Sequence, residues 1–264
     1  MTDSRLIDVN FESAPFANGC LPRDDKVGSV FPVLEDSGID IYQRNDWEEL
    51  LEQAMSLEVL IGQIKDQGQE GSCASQATAQ AMEIVWNLQH GQQSWVPLSP
   101  MSLYKRVGSS ASSGSTIASN LVATRDVGIL PLNTQANKEQ FEHTHPAIGW
   151  NASLPSGWKN TAKKFRVTEW YDIASIDGLI TAIINGWPVV YGRQVHAICS
   201  VLARWNRDRK IAEIKYANSW SPSWGDNGYG WDSEKVLRPA IPQYGAFCVR
   251  QVTVDDEFDA PVAK

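Results

Sequence analysis

The chain has 264 residues, of which 42% are hydrophobic and 20% charged, with a net charge of −8 and eleven Trp. That length and apolar content suffice for a real core, in one large domain or two modest ones. The acidic balance argues against nucleic acid or an anionic membrane as a partner, and no stretch approaches the roughly 18 apolar residues of a membrane span.

In chain order, residues 1–61 read as an N-terminal arm. Pro, Gly, Asp and Ser are frequent and no period is sustained, so the first 45 residues are expected to run extended over the surface, with a short strand at Ser29–Leu34. Asn45 or Asp46 caps one short helix through Ser56, with Glu49 placed for a capping box and Leu50, Leu51 and Met55 on its apolar face. Residues 62–254 form the expected main domain. A glycine-punctuated loop, Asp66–Ser72, leads into Cys73 and then an Ala- and Gln-rich run that predicts a helix to His90, closed by Gly91. Ser99-Pro100 starts a short helix, GSSASSGS is a loop, and Thr116 starts a helix that ends before Gly128. Residues 131–161 read as loop. From Phe165 the character changes: strands are expected at Phe165–Tyr171, Pro188–Tyr191, Val195–Arg204, Ile211–Ala217 and Phe247–Val254, with one helix capped by Ser175 and closed by Gly186. Helices in the first part (62–160) and antiparallel strands in the second (161–254) predict an α+β fold of two lobes meeting at a cleft. Residues 255–264 form an acidic tail.

The four cysteines, Cys20, Cys73, Cys199 and Cys248, show no CxxC pairing and no metal-ligand spacing, so no metal or cofactor is expected. The first residues carry no export signal, and the thiols read as free in a cytoplasmic or otherwise intracellular setting. One of them is placed for chemistry. Cys73 stands at a predicted helix N-terminus, where unpaired N–H groups and the helix dipole favour thiolate, the nucleophilic form. Two glycines, Gly68 and Gly71, allow close backbone approach. Gln67 offers an amide donor for a developing oxyanion. A proton carrier is needed, and His196 opens a later strand. Asn218 can fix the tautomer and ring plane of that imidazole without adding charge. His196 lies 123 residues after Cys73 and Asn218 145 residues after it, against about 130–150 for the partners of papain-type cysteines.

Three stretches, DQGQEGSCAS at 66–75, VHAI at 195–198 and NSWSPSWGDNGYG at 218–230, resemble the papain-like, cathepsin-type cysteine proteases, and the order of elements agrees over 62–253. The resemblance implies a helical lobe and a β-barrel-like lobe facing each other, with Cys73 as nucleophile and His196 as general base and acid. Asn218 would orient the imidazole and Trp220 would shield that hydrogen bond. Gln67 and the Cys73 N–H would form the oxyanion hole. Gly71, Ser72, Trp220 and Gly114 would line the substrate track, Gly114 at the place of a glycine whose backbone pairs with an extended peptide. A peptide or protein is the implied substrate.

The departures are specific. Glu70 replaces a family cysteine and Ala74 a large aromatic, so the region beside Cys73 should be more open. The sizeable segment usual between the positions of Pro188 and His196, which builds part of the cleft wall, is missing, and the N-terminal arm is a candidate to occupy the space it leaves. Residues 1–61 do not look like the helical inhibitory pro-region common in the family. The leading expectation is a peptidase, endo- or exo-acting, working through a thioester. The alternatives are a papain-fold protein with a binding or structural role in a larger assembly, such as a virus particle, and a thiol amidase or peptide ligase.

Overall fold

The computed structural model describes residues 7–24 and 31–253. The acidic tail falls outside them, as does the start of the strand expected at Ser29–Leu34, of which a single bridge from Val33 to Asp172 is seen.

The helices are α1 (Trp47–Gln53), α2 (Cys73–His90), α3 (Pro100–Val107), α4 (Ile117–Asp126), α5 (Gln135–Gln140), α6 (Lys159–Ala162), α7 (Ile176–Ile184) and α8 (Glu234–Tyr244). The strands are β1 (Arg166–Asp172), β2 (Val189–Arg193), β3 (His196–Asn206), β4 (Ile211–Ala217), β5 (Tyr229–Ser233) and β6 (Ala246–Thr253). They form one antiparallel sheet in the order β1-β6-β2-β3-β4-β5. The architecture is α+β, with α2–α6 preceding the first strand.

Local chemistry explains most boundaries. Ser99, Thr116 and Ser175 each cap a helix by accepting from the backbone N–H three residues on, at Ser102, Ser119 and Gly178, which satisfies one of the orphan donors of the first turn. Asp46 precedes α1 without a side-chain cap, and the helix stops at Gln53, so Met55 lies beyond it and is exposed. Two elements run against local rules. Helix α8 carries Pro239 and Pro242, and β5 was hidden among the glycines of the NSW stretch. Both are fixed by packing on the sheet.

Helix α2 is the axis of the helical lobe. Residues Cys73–Asn87 are all buried, so it packs on every side, against α3, α4, β3 and β6. Two of its polar residues are met internally: Glu83 accepts from Lys65 Nζ, Trp95 Nε1 and the Leu98 N–H, and Ser75 Oγ donates to Asn120 Oδ1 at 2.6 Å, whereas neither side-chain atom of Gln80 finds a partner among the described residues. A fully buried carboxylate is tolerable only when paired and hydrogen-bonded as Glu83 is. On the other face of β2 and β3 lie α7 and α8. With both faces covered, these strands read as unbroken apolar runs rather than alternating ones. Among the described residues no helix is long and apolar enough to cross a membrane.

The N-terminal arm does not lie on the surface as expected. Phe11 and Cys20 are buried, and residues 16–21 run between the helical lobe and the β2–β3 hairpin. No periodicity announces this, because its contacts are to backbone more than 45 residues away.

Candidate active site

Cys73 is the first residue of α2, and His196 the first of β3. Asn218 follows the last residue of β4. Its Oδ1 stands 2.7 Å from His196 Nε2 and also accepts from the Ser219 N–H. Nε2 therefore carries the proton, and Nδ1 is left as the free lone pair, with no hydrogen-bond partner. Trp220 stacks on the imidazole, ring centroids 4.4 Å apart. Gln67 is locked from both ends: Oε1 accepts from Ser219 Oγ at 2.6 Å, and Nε2 donates to Glu70 O and to Ala17 O. Ser72 is the residue before α2, and its Oγ accepts from Gln76 Nε2. Gly71 donates its N–H to Ala111 O.

The arm fills this site. Trp220 Nε1 and Gln67 Nε2 both donate to Ala17 O, at 2.9 and 3.0 Å. Gly19 and Cys20 donate to Val195 O, at 2.9 and 2.8 Å. Ser115 N donates to Gly19 O, and Leu21 N donates to Ser115 O. Ser115, rather than Gly114, thus pairs with the extended segment; Gly114 donates to Tyr104 Oη and supplies space. A Cβ on Gly114 (φ 74°) would lie 2.3 Å from Gly19 O, and one on Gly192 2.7 Å from Cys20 Sγ. Cys73, His196 and Ala74 are each 0% exposed. The opening expected beside Ala74 is occupied. Glu70 accepts from the Gly149 and Trp150 N–H groups.

The β2–β3 connection is only Gln194 and Val195, with no further segment between Pro188 and His196. Gln194 and Val195 both have positive φ, 47° and 56°, as a two-residue hairpin turn of this hand requires. For a β-branched valine that conformation is strained.

Burial sets the protonation state. It pushes the Cys73 thiol up to about 12, although the N–H groups of Ala197, Ala74, Cys73 itself and Gly19 pull the other way. It pushes the His196 imidazole down to about 3, against the hydrogen bond to Asn218. Under the arm the two are a neutral thiol and a neutral imidazole at pH 7. The other three cysteines are also buried free thiols, and among the described residues no group of three His, Cys, Asp or Glu is arranged to hold a metal ion.

The pH dependence of arm seating reports how the uncovered pair holds its protons. The covered pair binds one proton at pH 7, on sulfur, and its imidazole resists a second until about pH 3. An uncovered pair ionised as thiolate and imidazolium also binds one proton, so opening neither takes up nor releases a proton between pH 5 and pH 7. Hydrogen exchange at the Gly19, Cys20 and Leu21 amides, corrected for intrinsic rates, is therefore expected to show the same protection at pH 7 and pH 5. A loss of roughly tenfold or more between them would mean that the uncovered imidazole titrates alone, near 6.5, and would contradict a coupled pair.

Sequence reasoning had no sign of Phe11, Ala17 or Gly19. Ser219, which fixes the Gln67 amide, was visible inside the NSW stretch.

No family model matches the chain, and no curated protein does. Solved structures do. Xylellain, a cysteine protease from Xylella fastidiosa, is 16% identical with a TM-score of 0.60, over 91% of this chain and 98% of that one. Digestive procathepsin L2 proteinase from the Tenebrio molitor larval midgut is 14% identical with a TM-score of 0.64, over 90% and 78%. ProCathepsin B S9 from Trypanosoma congolense is 14% identical with a TM-score of 0.60, over 92% and 88%. At such identities the likeness concerns the scaffold, and the chain has the papain-like fold of these cysteine proteases.

Proposed function

We propose that the protein is a cysteine peptidase, held latent by its own arm, that hydrolyses peptide bonds through Cys73, His196 and Asn218. The observation that carries this reading is a peptide carbonyl, Ala17 O, already gripped by Gln67 Nε2 and Trp220 Nε1 beside a histidine whose Nδ1 lone pair is free. A site that holds extended peptide backbone on the Gln67 amide supports assigning that amide as an oxyanion donor.

With the arm displaced and water admitted, the penalty on charge falls. His196 Nδ1 takes the Cys73 proton, and Asn218 Oδ1 holds the Nε2–H of the resulting imidazolium. The thiolate attacks the carbonyl carbon, forming C–S while the C=O electron pair moves to oxygen, where Gln67 Nε2 and the Cys73 N–H receive it. The imidazolium then gives its proton to the amide nitrogen as C–N breaks, leaving a thioester and a free amine. Water, deprotonated by the imidazole, attacks the thioester. C–S breaks, the acid leaves, and the sulfur recovers a proton.

The Gln67 amide is rigid, so its loss is not compensated. In an arm-opened protein, Gln67→Ala is expected to lower turnover of a peptide substrate by about 10²–10³ with a smaller change in KM, as for other oxyanion donors. Steady-state kinetics on a fluorogenic peptide checks this. A drop confined to KM would remove Gln67 from that role.

A structural or binding role in a larger assembly gains no support from an arm seated over Cys73 and His196, both fully buried. A thiol amidase or peptide ligase would use the same residues, and product analysis of a peptide digest separates them: free carboxylate for hydrolysis, a new amide for ligation.

A further inference from the structure

The arm is held in two different ways on the two sides of residues 12–16. Residues 16–21 are attached chiefly through backbone hydrogen bonds, and Phe16 and Leu21 are 38% and 43% exposed. Residues 7–11 are built into the β lobe. Ile7 bridges to Trp231, and Asp8 N donates to Trp231 O. Asp8 accepts from the Ser233 N–H and Oγ at 2.6 and 2.9 Å. Arg193, itself fixed by the buried Asp232 at 2.9 and 2.6 Å, donates to Val9 O at 2.7 Å. Phe11 N donates to Gln194 Oε1 at 2.9 Å. Between the two parts, Glu12, Ser13, Pro15 and Phe16 are exposed.

The Phe11 side chain is fully buried; it meets the track of residues 16–21 through Trp220, on which Phe16 stacks and which donates to Ala17 O, and Asn18 Nδ2 donates to Phe11 O. The Phe11 ring packs edge-on against the imidazole of His196, centroids 4.8 Å apart at 77°, and against Trp220 at 5.3 Å and Tyr216 at 5.9 Å. The Arg193 guanidinium lies over its ring at 4.0 Å. His196 is therefore fixed by Trp220 stacked on its plane, by Asn218 at one nitrogen and by Phe11. Phe11 lies beside the two-residue Gln194–Val195 turn, its N–H on Gln194 Oε1.

We propose that residues 7–11 are a permanent part of the active-site wall, that Phe11 is a positioning residue for His196, and that only residues 16–21 are the movable cover. The inference rests on the peptidase reading. Its physical content is steric and dielectric. Removing the Phe11 ring leaves the imidazole free to rotate off Asn218 and lets water reach the Asn218–His196 hydrogen bond. Opening the site must then leave residues 7–11 in place, by movement or by cleavage within the exposed 12–16 segment.

The test uses the full chain and reads the pH dependence of Cys73 alkylation by iodoacetamide, with adducts located by peptide mapping. Gly19→Val serves as the opened background. A coupled thiolate–imidazolium pair gives that protein an alkylation rate with an acidic plateau. Adding Phe11→Ala is expected to erase the plateau and slow the neutral-pH rate by about 10–100-fold, the scale of a displaced catalytic group. Phe11→Leu, which keeps most of the volume, is expected to restore most of the rate, and it decides the matter if the alanine variant does not fold. If the profiles with Phe11 replaced superimpose on that of Gly19→Val alone, the proposal is overturned. It is equally overturned if Phe11→Ala in the otherwise natural chain frees Cys73 as Gly19→Val does, for then residues 7–11 are only more cover. Failure of the underlying reading looks different: Gly19→Val with His196→Ala would keep the plateau, whatever residue 11 is.

Discussion

Replacing Gly19 by valine is expected to uncover Cys73. Gly19 passes so close to the helical lobe that a Cβ on it would stand 2.1 Å from Gly71 O and 2.5 Å from Gly71 C. Those are backbone atoms at the entrance to α2. Gly71 is itself tied by its N–H to Ala111 O, so it cannot swing aside as a side chain could. Nor can the arm shift outward and keep its bonds. Gly19 N and O are fixed on opposite sides, to Val195 O and to Ser115 N. Overpacking of this kind costs about 1–3 kcal/mol, which is roughly 5–150-fold in the seating equilibrium. Cys73, now 0% exposed, should react with iodoacetamide faster by about that factor, and the 12–21 segment should become more sensitive to limited proteolysis. Unchanged labelling of Cys73 would mean that the arm does not control access. A thermal melt close to that of the natural chain is expected as well, since residues 16–21 add little to either core cluster beyond Cys20.

The second large effect concerns His196. In the opened protein, His196→Ala removes the titratable group hydrogen-bonded to Asn218 Oδ1. The thiol then has no base, and its ionisation rests on the N–H groups of Ala74, Ala197 and its own residue. Peptide hydrolysis is expected to fall by about 10²–10⁴, the usual contribution of a positioned acid–base group. The pH profile should change more tellingly than the rate. With the imidazole present, thiolate persists to acidic pH; without it, reactivity should rise once, at an unassisted thiol pKa of about 8.5 or above. A variant that kept the acidic limb would remove His196 from the proposed mechanism. Asn218→Ala should give a milder version of the same change, because Trp220 still stacks on the ring.

How far the sequence reveals this depends on whether the cause is local. Helix α2 and the three caps Ser99, Thr116 and Ser175 were legible because side chains and backbone within a few residues decide them. Cys73, His196, Asn218 and Gln67 stand out in the sequence because their residue types in that order answer one chemical need, and the fold brings Asn218 to His196. The central strands were legible as apolar runs. Helix α8 was not, because Pro239 and Pro242 oppose helix locally and only its burial against β2 and the hairpin of β4 and β5 outweighs them. The arm was least legible. What holds Gly19 is a set of backbone groups at residues 71, 115 and 195, and a glycine between Asn18 and Cys20 carries no sign of them. Phe11 likewise reads as one aromatic in a polar stretch until β2 and β3 bring Arg193 and His196 beneath it. The missing wall between Pro188 and His196 was the useful clue: a deletion beside a reactive group leaves apolar space that some other part of the chain must fill.

The most direct measurement exposes the natural chain and its Gly19→Val variant to a peptidyl epoxide at neutral pH, then reads intact mass and the labelled residue. A single adduct on Cys73, faster in the variant and absent after Cys73→Ala, is what an activated thiolate beneath a movable cover predicts. No adduct in the opened protein, or equal labelling of Cys20 once the arm has lifted, would contradict it.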